Sequence, residues 1–380
     1  MTRKLLVVVV LFGWSVCWGQ NGYRIPLRDA NPSLSLPLMT ADGEVLYVAY
    51  RSWTWLRESD KLRVVQYDLK SRRELRRATI AVPKVHGPRV AEGLYLSKDG
   101  QVLAYAETHD PSLVLLVSAK DLLEVRRSTA LPFPHDADQP SYTTFKDLFA
   151  GFDGSGFLSF AFSDKGLRFM RVDPASLAVA SETSTPRTVS QERSEVLVWS
   201  PVVERTWTVN GARGWQEYTE DGQATRQEFW GPKGETYGAF VLGEGKLIAF
   251  FGRWSHGAVI VYNNHRTAEL SLPCVPLAYG ASADPQYVGA LCAVQQSSKR
   301  FLWDKVLSSE FLLINTEGPA VVWRRRMDLV ANAERDRQHR DFYQKGSPLV
   351  HPSDRKVWIV APERWPELSV YEVTLPEPKN

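Results

Sequence analysis

Five residues carry side chains that could bind a metal ion, namely His86, His109, His135, Asp136 and Asp138. Divalent cations accept imidazole nitrogens and carboxylate oxygens as ligands, and a hard cation such as Ca²⁺ prefers the carboxylates. The intervals between the five residues match no known metal motif, and a solvated loop also explains residues 135–138. A metal centre at these positions is therefore an alternative and not the main prediction.

Sequence motifs for the common enzyme chemistries are absent. The chain has no GxSxG nucleophile elbow, no phosphate-binding loop, no GxGxxG dinucleotide fingerprint and no HExxH zinc motif. No activated nucleophile is visible, so an enzyme would need a metal ion or a quinone to supply the reactivity. We therefore predict no catalytic residue and no resident cofactor, with Ca²⁺ or a quinone as the alternative.

A second set of residues is rich in tryptophan and arginine. Its members fall in four segments that separate apolar runs, residues 49–61, 252–256, 295–308 and 361–366. Aromatic and arginine side chains are enriched at the energetic centres of binding surfaces. Rings that fold back over the strands below them are the competing interpretation. The predicted binding residues are Trp53, Trp55, Arg57, Arg253, Trp254, His256, Trp303, Arg364 and Trp365.

The elements that must position these residues are β-hairpins. Residues 94–105, LYLSKDGQVLAY, place apolar runs on both sides of Asp99-Gly100, a dipeptide that favours a tight turn between antiparallel strands. The pattern recurs about every 40 to 70 residues, which is typical of a repeat architecture. The seven predicted hairpin turns lie at Asp42-Gly43, Asp99-Gly100, Asp153-Gly154, residues 200–205, Glu244-Gly245, residues 283–285 and residues 352–355.

Further strands follow the hairpins, and four strands from inner to outer make one blade of a β-propeller. The segment from Arg73 to Ala81 is polar, as expected for an outer strand. We predict an all-β fold, a seven-bladed β-propeller of four-stranded antiparallel blades. Only three strands are predicted in the last blade before Asn380, and the segment from Tyr23 to Leu27 is expected to pair with it and close the ring.

The turns at residues 40–43, 97–100 and 152–154, with similar reverse turns after the third strands, resemble those of the seven-bladed β-propeller superfamily, especially its secreted bacterial members of the YVTN and WD-repeat-like types. WD repeats carry Gly-His and Trp-Asp pairs at fixed places, whereas this chain has Trp303-Asp304 once and no Gly-His pair. The superfamily ranges from protein scaffolds to lactonases and quinone-dependent dehydrogenases, so the resemblance implies an architecture and no activity. Its enzymes build their sites from scattered loops around a central funnel.

Residues 1–19 are predicted to be a signal peptide that is removed on export. Basic residues 3–4 precede an apolar run, residues 5–12, and the small residues Cys17 and Gly19 suit a cleavage site. The apolar run is shorter than a membrane-spanning helix requires, and the residues before Cys17 fit a lipid-attachment site poorly. We expect a periplasmic or secreted protein without a lipid anchor.

Residues 20–380 are predicted to be one propeller domain. A charged segment at about residues 324–346 interrupts the strand pattern, and residues 328–343 have a helical composition without glycine or proline. Three arginines in a row, Arg324 to Arg326, could dock a partner, although a run of charge is usually a solvated surface.

The cysteines and the net charge narrow the function further. Without the signal peptide the chain keeps Cys274 and Cys292, and in an oxidising compartment we predict a disulfide between them, with two buried free thiols as the alternative. Lys and Arg number 46 and Asp and Glu 43, and the signal peptide takes away two basic residues and no acid. The mature protein is then nearly neutral, unlike a nucleic-acid-binding protein.

The sequence therefore predicts an exported, non-enzymatic propeller that binds a protein partner or a carbohydrate through its aromatic and arginine loops. A metal- or quinone-dependent enzyme with its site in the central funnel is the alternative. We expect no nucleic-acid partner and no membrane span in the mature chain. A closed ring has no free sheet edge that demands a partner, so we also expect a monomer.

Overall fold

The computed structural model describes residues 22–27, 35–40, 42–54, 57–84, 92–107, 112–131, 149–152, 156–163, 166–186, 195–200, 205–210, 214–219, 222–229, 235–243, 246–253, 256–281, 286–296, 305–327, 349–353, 356–364 and 367–374. This part of the chain consists of strands, turns and bends. It contains no helix with the length and apolar character needed to cross a membrane.

The strands form seven four-stranded antiparallel sheets, numbered I to VII. The first strand of the chain, β1 (Gly22–Pro26), belongs to the last sheet. Sheet I contains β2 (Ser35–Met39), β3 (Val45–Thr54), β4 (Arg57–Asp68) and β5 (Arg73–Ala81). Sheet II contains β6 (Glu92–Leu96), β7 (Val102–Glu107), β8 (Leu113–Ser118) and β9 (Glu124–Ser128). Sheet III contains β10 (Phe149–Phe152), β11 (Leu158–Ser163), β12 (Gly166–Val172) and β13 (Val179–Pro186).

The second half of the chain repeats this arrangement. Sheet IV contains β14 (Glu195–Ser200), β15 (Arg205–Asn210), β16 (Gly214–Tyr218) and β17 (Ala224–Phe229). Sheet V contains β18 (Glu235–Gly243), β19 (Lys246–Arg253), β20 (His256–Asn263) and β21 (Arg266–Leu272). Sheet VI contains β22 (Val275–Ala281), β23 (Tyr287–Gln296), β24 (Lys305–Asn315) and β25 (Ala320–Met327). Sheet VII contains β26 (Leu349–Ser353), β27 (Lys356–Arg364), β28 (Glu367–Thr374) and β1.

Burial follows the position of a strand within its sheet. The second and third strands of sheet II, β7 and β8, read VLAYAE and LVLLVS and are almost wholly buried, because other parts of the protein cover both of their faces. The fourth strand, β9, is exposed at every residue but its last. The apolar core lies between consecutive sheets, as where Tyr47 and Leu62 of sheet I pack in one cluster with Leu103 and Leu115 of sheet II.

The turns between the first and second strands of sheets I and II share one hydrogen-bond pattern. The hydroxyls of Thr40 and Ser97 donate to the aspartates two residues further on, Asp42 and Asp99. Each hydroxyl also accepts the amide N–H of the residue five positions further on. The glycine after each aspartate adopts a positive φ, 70° and 71°, which glycine reaches without steric cost. The Asp-Gly turns that the sequence predicts here are confirmed.

A β-bulge recurs near the start of the fourth strand in five of the seven sheets. In the preceding turn, Arg72, Leu122 and Leu177 have positive φ values of 58°, 61° and 55° in sheets I, II and III. A bulge leaves one residue unpaired and increases the local twist, and its recurrence at one point marks a repeated structural unit. The unpaired residues are Leu75, Val125, Ala180, Thr225 and Val322.

The first strands of the sheets contact one another in chain order, from β2 through β6, β10, β14, β18 and β22 to β26, and β26 in turn contacts β2. Strand β1 pairs antiparallel with β28, from Gly22 opposite Tyr371 to Pro26 opposite Glu367. Ile25 is fully buried in a cluster that also includes Val48 of sheet I. Sheet VII therefore joins the two ends of the described chain.

Cys274 and Cys292 form the predicted disulfide, with their Cα atoms 5.3 Å apart. Cys274 immediately precedes β22 and Cys292 lies in β23, opposite Pro276. Both cysteines are buried in the apolar cluster between sheets V and VI. The bond therefore crosses from the start of the hairpin to its second strand, as the sequence predicts.

Several predicted boundaries are wrong because backbone pairing continues beyond the apolar residues. Strands β3 and β4 extend almost to each other, so Trp53 and Arg57 are strand residues and not loop residues. The same applies to Arg253, His256 and Arg364 in sheets V and VII. A strand gains its hydrogen bonds from the main chain whatever its side chains are, so polar ends of strands resemble loops in a sequence.

Three further differences concern whole segments. The fourth strands of sheets III, IV and V, which are β13, β17 and β21, had no predicted range of their own, because their residues are mostly polar. Arg324 to Met327, the start of the predicted insertion, belong to β25 and pair with β24. The rest of that segment, residues 328–346, and the predicted signal peptide, residues 1–19, lie outside the described residues.

Candidate binding face

Each sheet connects its strands at two ends. The turn end holds the connections from the first strand to the second and from the third to the fourth, and the loop end holds those from the second to the third and from the fourth to the next sheet. The connections of the turn end are short, for example Asn264-His265 between β20 and β21. The two longest connections, from β9 to β10 and from β25 to β26, belong to the loop end. In a propeller the loop ends of all blades lie on one face.

Strand register fixes the length of the second-to-third connections. Thr54 pairs with Arg57 in sheet I, Arg253 with His256 in sheet V, and Arg364 with Glu367 in sheet VII. Each pairing leaves a two-residue tip. The tips are Trp55-Leu56, Trp254-Ser255 and Trp365-Pro366, and all three begin with tryptophan.

Two of the remaining predicted binding residues are placed by the same registers. Trp53 lies in β3 opposite Glu58, and only Thr54 separates it from the tip of sheet I. In sheet VI the last pair is Gln296 with Lys305, so Trp303 is one of eight residues in a longer connection. The tryptophans of the predicted set therefore belong to sheets V, VI, VII and I, which follow one another in the order of first-strand contacts. The side chains of the predicted binding residues lie outside the described part of the structure.

Beneath the loop end, a charged pair lies between sheets I and II. Arg51 Nη2 is 2.8 Å from Glu107 Oε2, and neither side chain is exposed to solvent. Arg51 follows Tyr47 and Ala49 on the face of β3 that packs against sheet II, and Glu107 follows Tyr105 on the facing side of β7. The pair therefore continues the apolar cluster between the two sheets toward the loop end.

The two charged groups of this pair differ in their hydrogen bonding. Tyr105 donates its hydroxyl proton to Glu107 Oε1. The contact of Arg51 with Glu107 is close in distance but lacks hydrogen-bond geometry, and none of the guanidinium nitrogens has another hydrogen-bond acceptor among the described residues. A buried ion pair loses the solvation of both charges, and this cost is offset by the attraction between them and, for Glu107, by the hydrogen bond from Tyr105. This pair was not predicted, although a charged residue follows an apolar run in each segment, VLYVAYR and VLAYAE.

The five residues of the alternative metal site, His86, His109, His135, Asp136 and Asp138, lie outside the described ranges. Among the residues that are described, no group of three or more His, Cys, Asp or Glu side chains is arranged to hold a metal ion. A funnel centre at those five positions therefore stays a prediction.

Comparison with known proteins defines the class of the fold. No protein-family model matches the chain, and no curated protein matches it. The β-propeller domain of Cps50 (Swd1) from Myceliophteria thermophila matches with a TM-score of 0.58 at 11% identity, covering 93% of this chain and 100% of that domain. Virginiamycin B lyase from Staphylococcus aureus matches with a TM-score of 0.57 at 11% identity, covering 93% of this chain and 99% of that one.

The RRP9 WD40 repeats match with a TM-score of 0.52 at 12% identity, covering 92% of this chain and 96% of that one. Similarities at this level of identity establish a fold and do not transfer a function. Together with the seven four-stranded sheets, they show that the chain is a β-propeller built of repeated antiparallel units.

Proposed function

We propose that the chain is an exported, seven-bladed propeller that binds a protein partner or a carbohydrate through its loop-end face. Sheets I to VII are the blades in this proposal, and β1 closes the ring by completing sheet VII. The contacts that run from β2 to β26 and back to β2 support a closed ring, as does the pairing of β1 with β28.

The observation that carries the binding role is the position of the tryptophans at the tips. Trp55, Trp254 and Trp365 each take the first place of a two-residue tip flanked by paired strand residues. The strand residues on both sides of each tip are already paired, so the points from which the tip extends are fixed before a ligand binds. Tryptophan rings stack on sugar faces and fill pockets of partner proteins, and arginine beside them adds hydrogen bonds.

Export is supported by the disulfide. Cysteines stay reduced in most cytosols, whereas a bond such as Cys274–Cys292 persists in an oxidising compartment. The predicted signal peptide of residues 1–19 agrees with this location. Cleavage after Gly19 would leave β1 intact, because β1 begins at Gly22.

The competing function is a funnel enzyme that uses His86, His109 and His135 with Asp136 and Asp138. The similar solved structures include a lyase as well as WD40 repeats, and this likeness of fold favours neither function. Metal analysis of the purified protein separates the two functions. A stoichiometric bound ion that is lost when His135 and Asp136 are replaced by alanine would favour the enzyme.

The binding proposal is tested by a thermal-shift screen of the purified protein against glycans, peptidoglycan fragments, divalent metals and quinones. A ligand that binds only the folded state raises the melting temperature. We expect a glycan shift that disappears in Trp254→Ala and Trp365→Ala and persists in Leu123→Ala, a variant at the turn end. If no glycan shifts the wild-type protein, affinity capture with the same variants tests the protein-partner form. Equal capture by wild type and by both tip variants would overturn the role of the tips.

A further inference from the structure

The outer edge of sheets I to III carries exposed apolar side chains at the turn end. We define the rim patch as Leu75, Leu123, Val125 and Val179 with the basic residues beside them. These four side chains are 48%, 64%, 54% and 38% exposed. Leu75 and Val125 are the unpaired residues of two β-bulges, so the backbone itself turns them out of the strand ladder.

Basic residues surround these apolar side chains. Residues 68–77 and 118–129 contain eight lysines and arginines and four acids. The corresponding residues of sheet III, 173–182, add two acids and no basic residue, so the excess of basic residues lies on sheets I and II. Glu74 and Glu124 already pair with Arg77 and Arg127 within their own strands. Among the cations that remain, Lys70, Arg73 and Lys120 are exposed.

Electrostatic interactions link the turns of sheets II and III to arginines of the preceding sheets. The Asp121 carboxyl of sheet II has a pKa below its usual value, mainly because Ser118 donates a hydrogen bond to it and also because Arg76 of sheet I is close. The pKa of Asp173 in sheet III is lowered by Ser176 first, and also by Arg126 of sheet II. The arginine directly after each bulge is thus near enough to interact electrostatically with the aspartate in the turn of the following sheet.

We propose that the rim patch binds the surface of an anionic phospholipid bilayer. Side chains on protruding bulges of outer strands suit a soft apolar layer, whereas a folded partner would need a hollow that matches each of them. The interfacial region of a bilayer accepts apolar side chains, and its anionic headgroups attract the flanking lysines and arginines. The rim patch lies at the turn end, so a propeller bound through it keeps its loop-end connections directed away from the bilayer.

The test is co-sedimentation of the purified exported protein with two kinds of vesicle. The anionic vesicles contain a mixture of phosphatidylglycerol and phosphatidylcholine, and the neutral vesicles contain phosphatidylcholine alone. We expect binding to the anionic vesicles and at least about tenfold weaker binding to the neutral ones. The variants Leu123→Ser/Val125→Ser and Lys70→Glu/Arg73→Glu/Lys120→Glu should each weaken binding about tenfold or more. Every variant carries the same N-terminus, checked by mass spectrometry, so differences between variants report the rim patch.

Matched controls lie on other sheets. Phe229→Ser removes an apolar side chain that is 71% exposed on sheet IV, and Arg266→Glu/Arg324→Glu/Arg326→Glu reverses three exposed charges on sheets V and VI. Both controls should bind anionic vesicles as the wild type does. The proposal is wrong if the wild type does not sediment with anionic vesicles, or if the controls lose as much binding as the rim variants. The proposal would also be overturned if Leu123→Ser/Val125→Ser bound anionic vesicles as well as the wild type does, and if it also bound heparin as well as the wild type does. That result would indicate attraction of the basic residues to any polyanion.

Discussion

The Arg51 guanidinium and the Glu107 carboxylate face each other across the boundary between sheets I and II, 2.8 Å apart and fully removed from solvent. Both residues end an otherwise apolar strand segment just below the loop end. Because one member of the pair lies in each sheet, the pair forms only when both sheets are in place.

Removing one member of this pair should destabilise the protein strongly. Glu107→Gln leaves the Arg51 charge buried without its counterion, and we expect the free energy of unfolding to fall by about 3 to 5 kcal/mol. Urea denaturation measures the change. The double variant Arg51→Met/Glu107→Leu should recover most of the loss, because it leaves no charge to desolvate.

A partly exposed pair in sheet III is the control for this prediction. Arg168 and Glu182 contact each other across β12 and β13, and both side chains reach solvent. Arg168→Ala should cost no more than about 1 kcal/mol. A similar cost for Glu107→Gln would show that water reaches the pair between sheets I and II.

The disulfide should stabilise the fold chiefly through the unfolded state. Cys274 and Cys292 are 18 residues apart, and a loop of that size corresponds to about 3 kcal/mol of lost chain entropy in the unfolded protein. We expect Cys274→Ala/Cys292→Ala to lower the melting temperature of the purified protein. Reductant should lower that of the wild type similarly and leave the double variant unchanged. The bond would be shown not to form if reductant under denaturing conditions did not change the melting temperature of the wild type. In that case two thiols of the unreduced, denatured protein would react with an alkylating reagent.

The fold could be predicted from the sequence where the local signal and the tertiary structure agree. In Asp42-Gly43 and Asp99-Gly100, the aspartate accepts a hydrogen bond from the backbone amide two residues later, and the glycine tolerates a positive φ. Apolar runs lie on both sides of each turn. Such a turn is specified within a few residues. The turns at residues 42–43 and 99–100 could therefore be predicted without knowledge of the whole fold.

The site was less predictable, because its determinants lie in register and in contacts between sheets. Trp53 and Arg57 appeared to be loop residues until the pairing of Thr54 with Arg57 placed both in strands. The ion pair of Arg51 with Glu107 joins two sheets, and the residue pattern of one strand does not predict which residue of the next sheet its side chains will contact. The binding role of the tryptophans therefore stays a prediction, and the charge pair beneath the loop end was not predicted.

The Asp99 turn should respond to acid in a predictable direction. The Ser97 hydroxyl and the Gln101 backbone N–H both donate hydrogen bonds to the Asp99 carboxylate, and these bonds lower the pKa of Asp99. A folded-state pKa below the unfolded value stabilises the protein above the unfolded pKa, and this contribution is lost as the pH falls below about 4. Ser97→Ala should therefore raise the pKa of Asp99 in a carboxyl NMR titration.

The comparison variant for this turn is Ser176→Ala. Ser176 also donates its hydroxyl to an aspartate, Asp173, in the turn between the third and fourth strands of sheet III, so its loss should raise the pKa of Asp173 and leave that of Asp99 unchanged. No rise for Asp99 in Ser97→Ala would mean that the amide of Gln101 alone holds the carboxylate.

The pairing of β1 with β28 should contribute strongly to the stability of the fold. Ile25 is fully buried against sheets VII and I, whereas the Arg24 side chain beside it is about half exposed and contacts Glu367 at 3.3 Å. Ile25→Ala should lower the free energy of unfolding by about 2 to 5 kcal/mol, because it leaves a cavity at the junction of the two ends of the chain. Arg24→Ala should change it by no more than about 0.5 kcal/mol.

Hydrogen exchange distinguishes loss of the closing strand from general weakening. If β1 completes sheet VII, Ile25→Ala should speed the exchange of amides in residues 367–371, which face β1, before it affects β7 and β8 in sheet II. Uniformly faster exchange in sheets II and VII would mean that the ring opens as one cooperative unit. Unchanged exchange of residues 367–371, with full stability, would contradict the closing role of β1, because β28 would then be protected by something else.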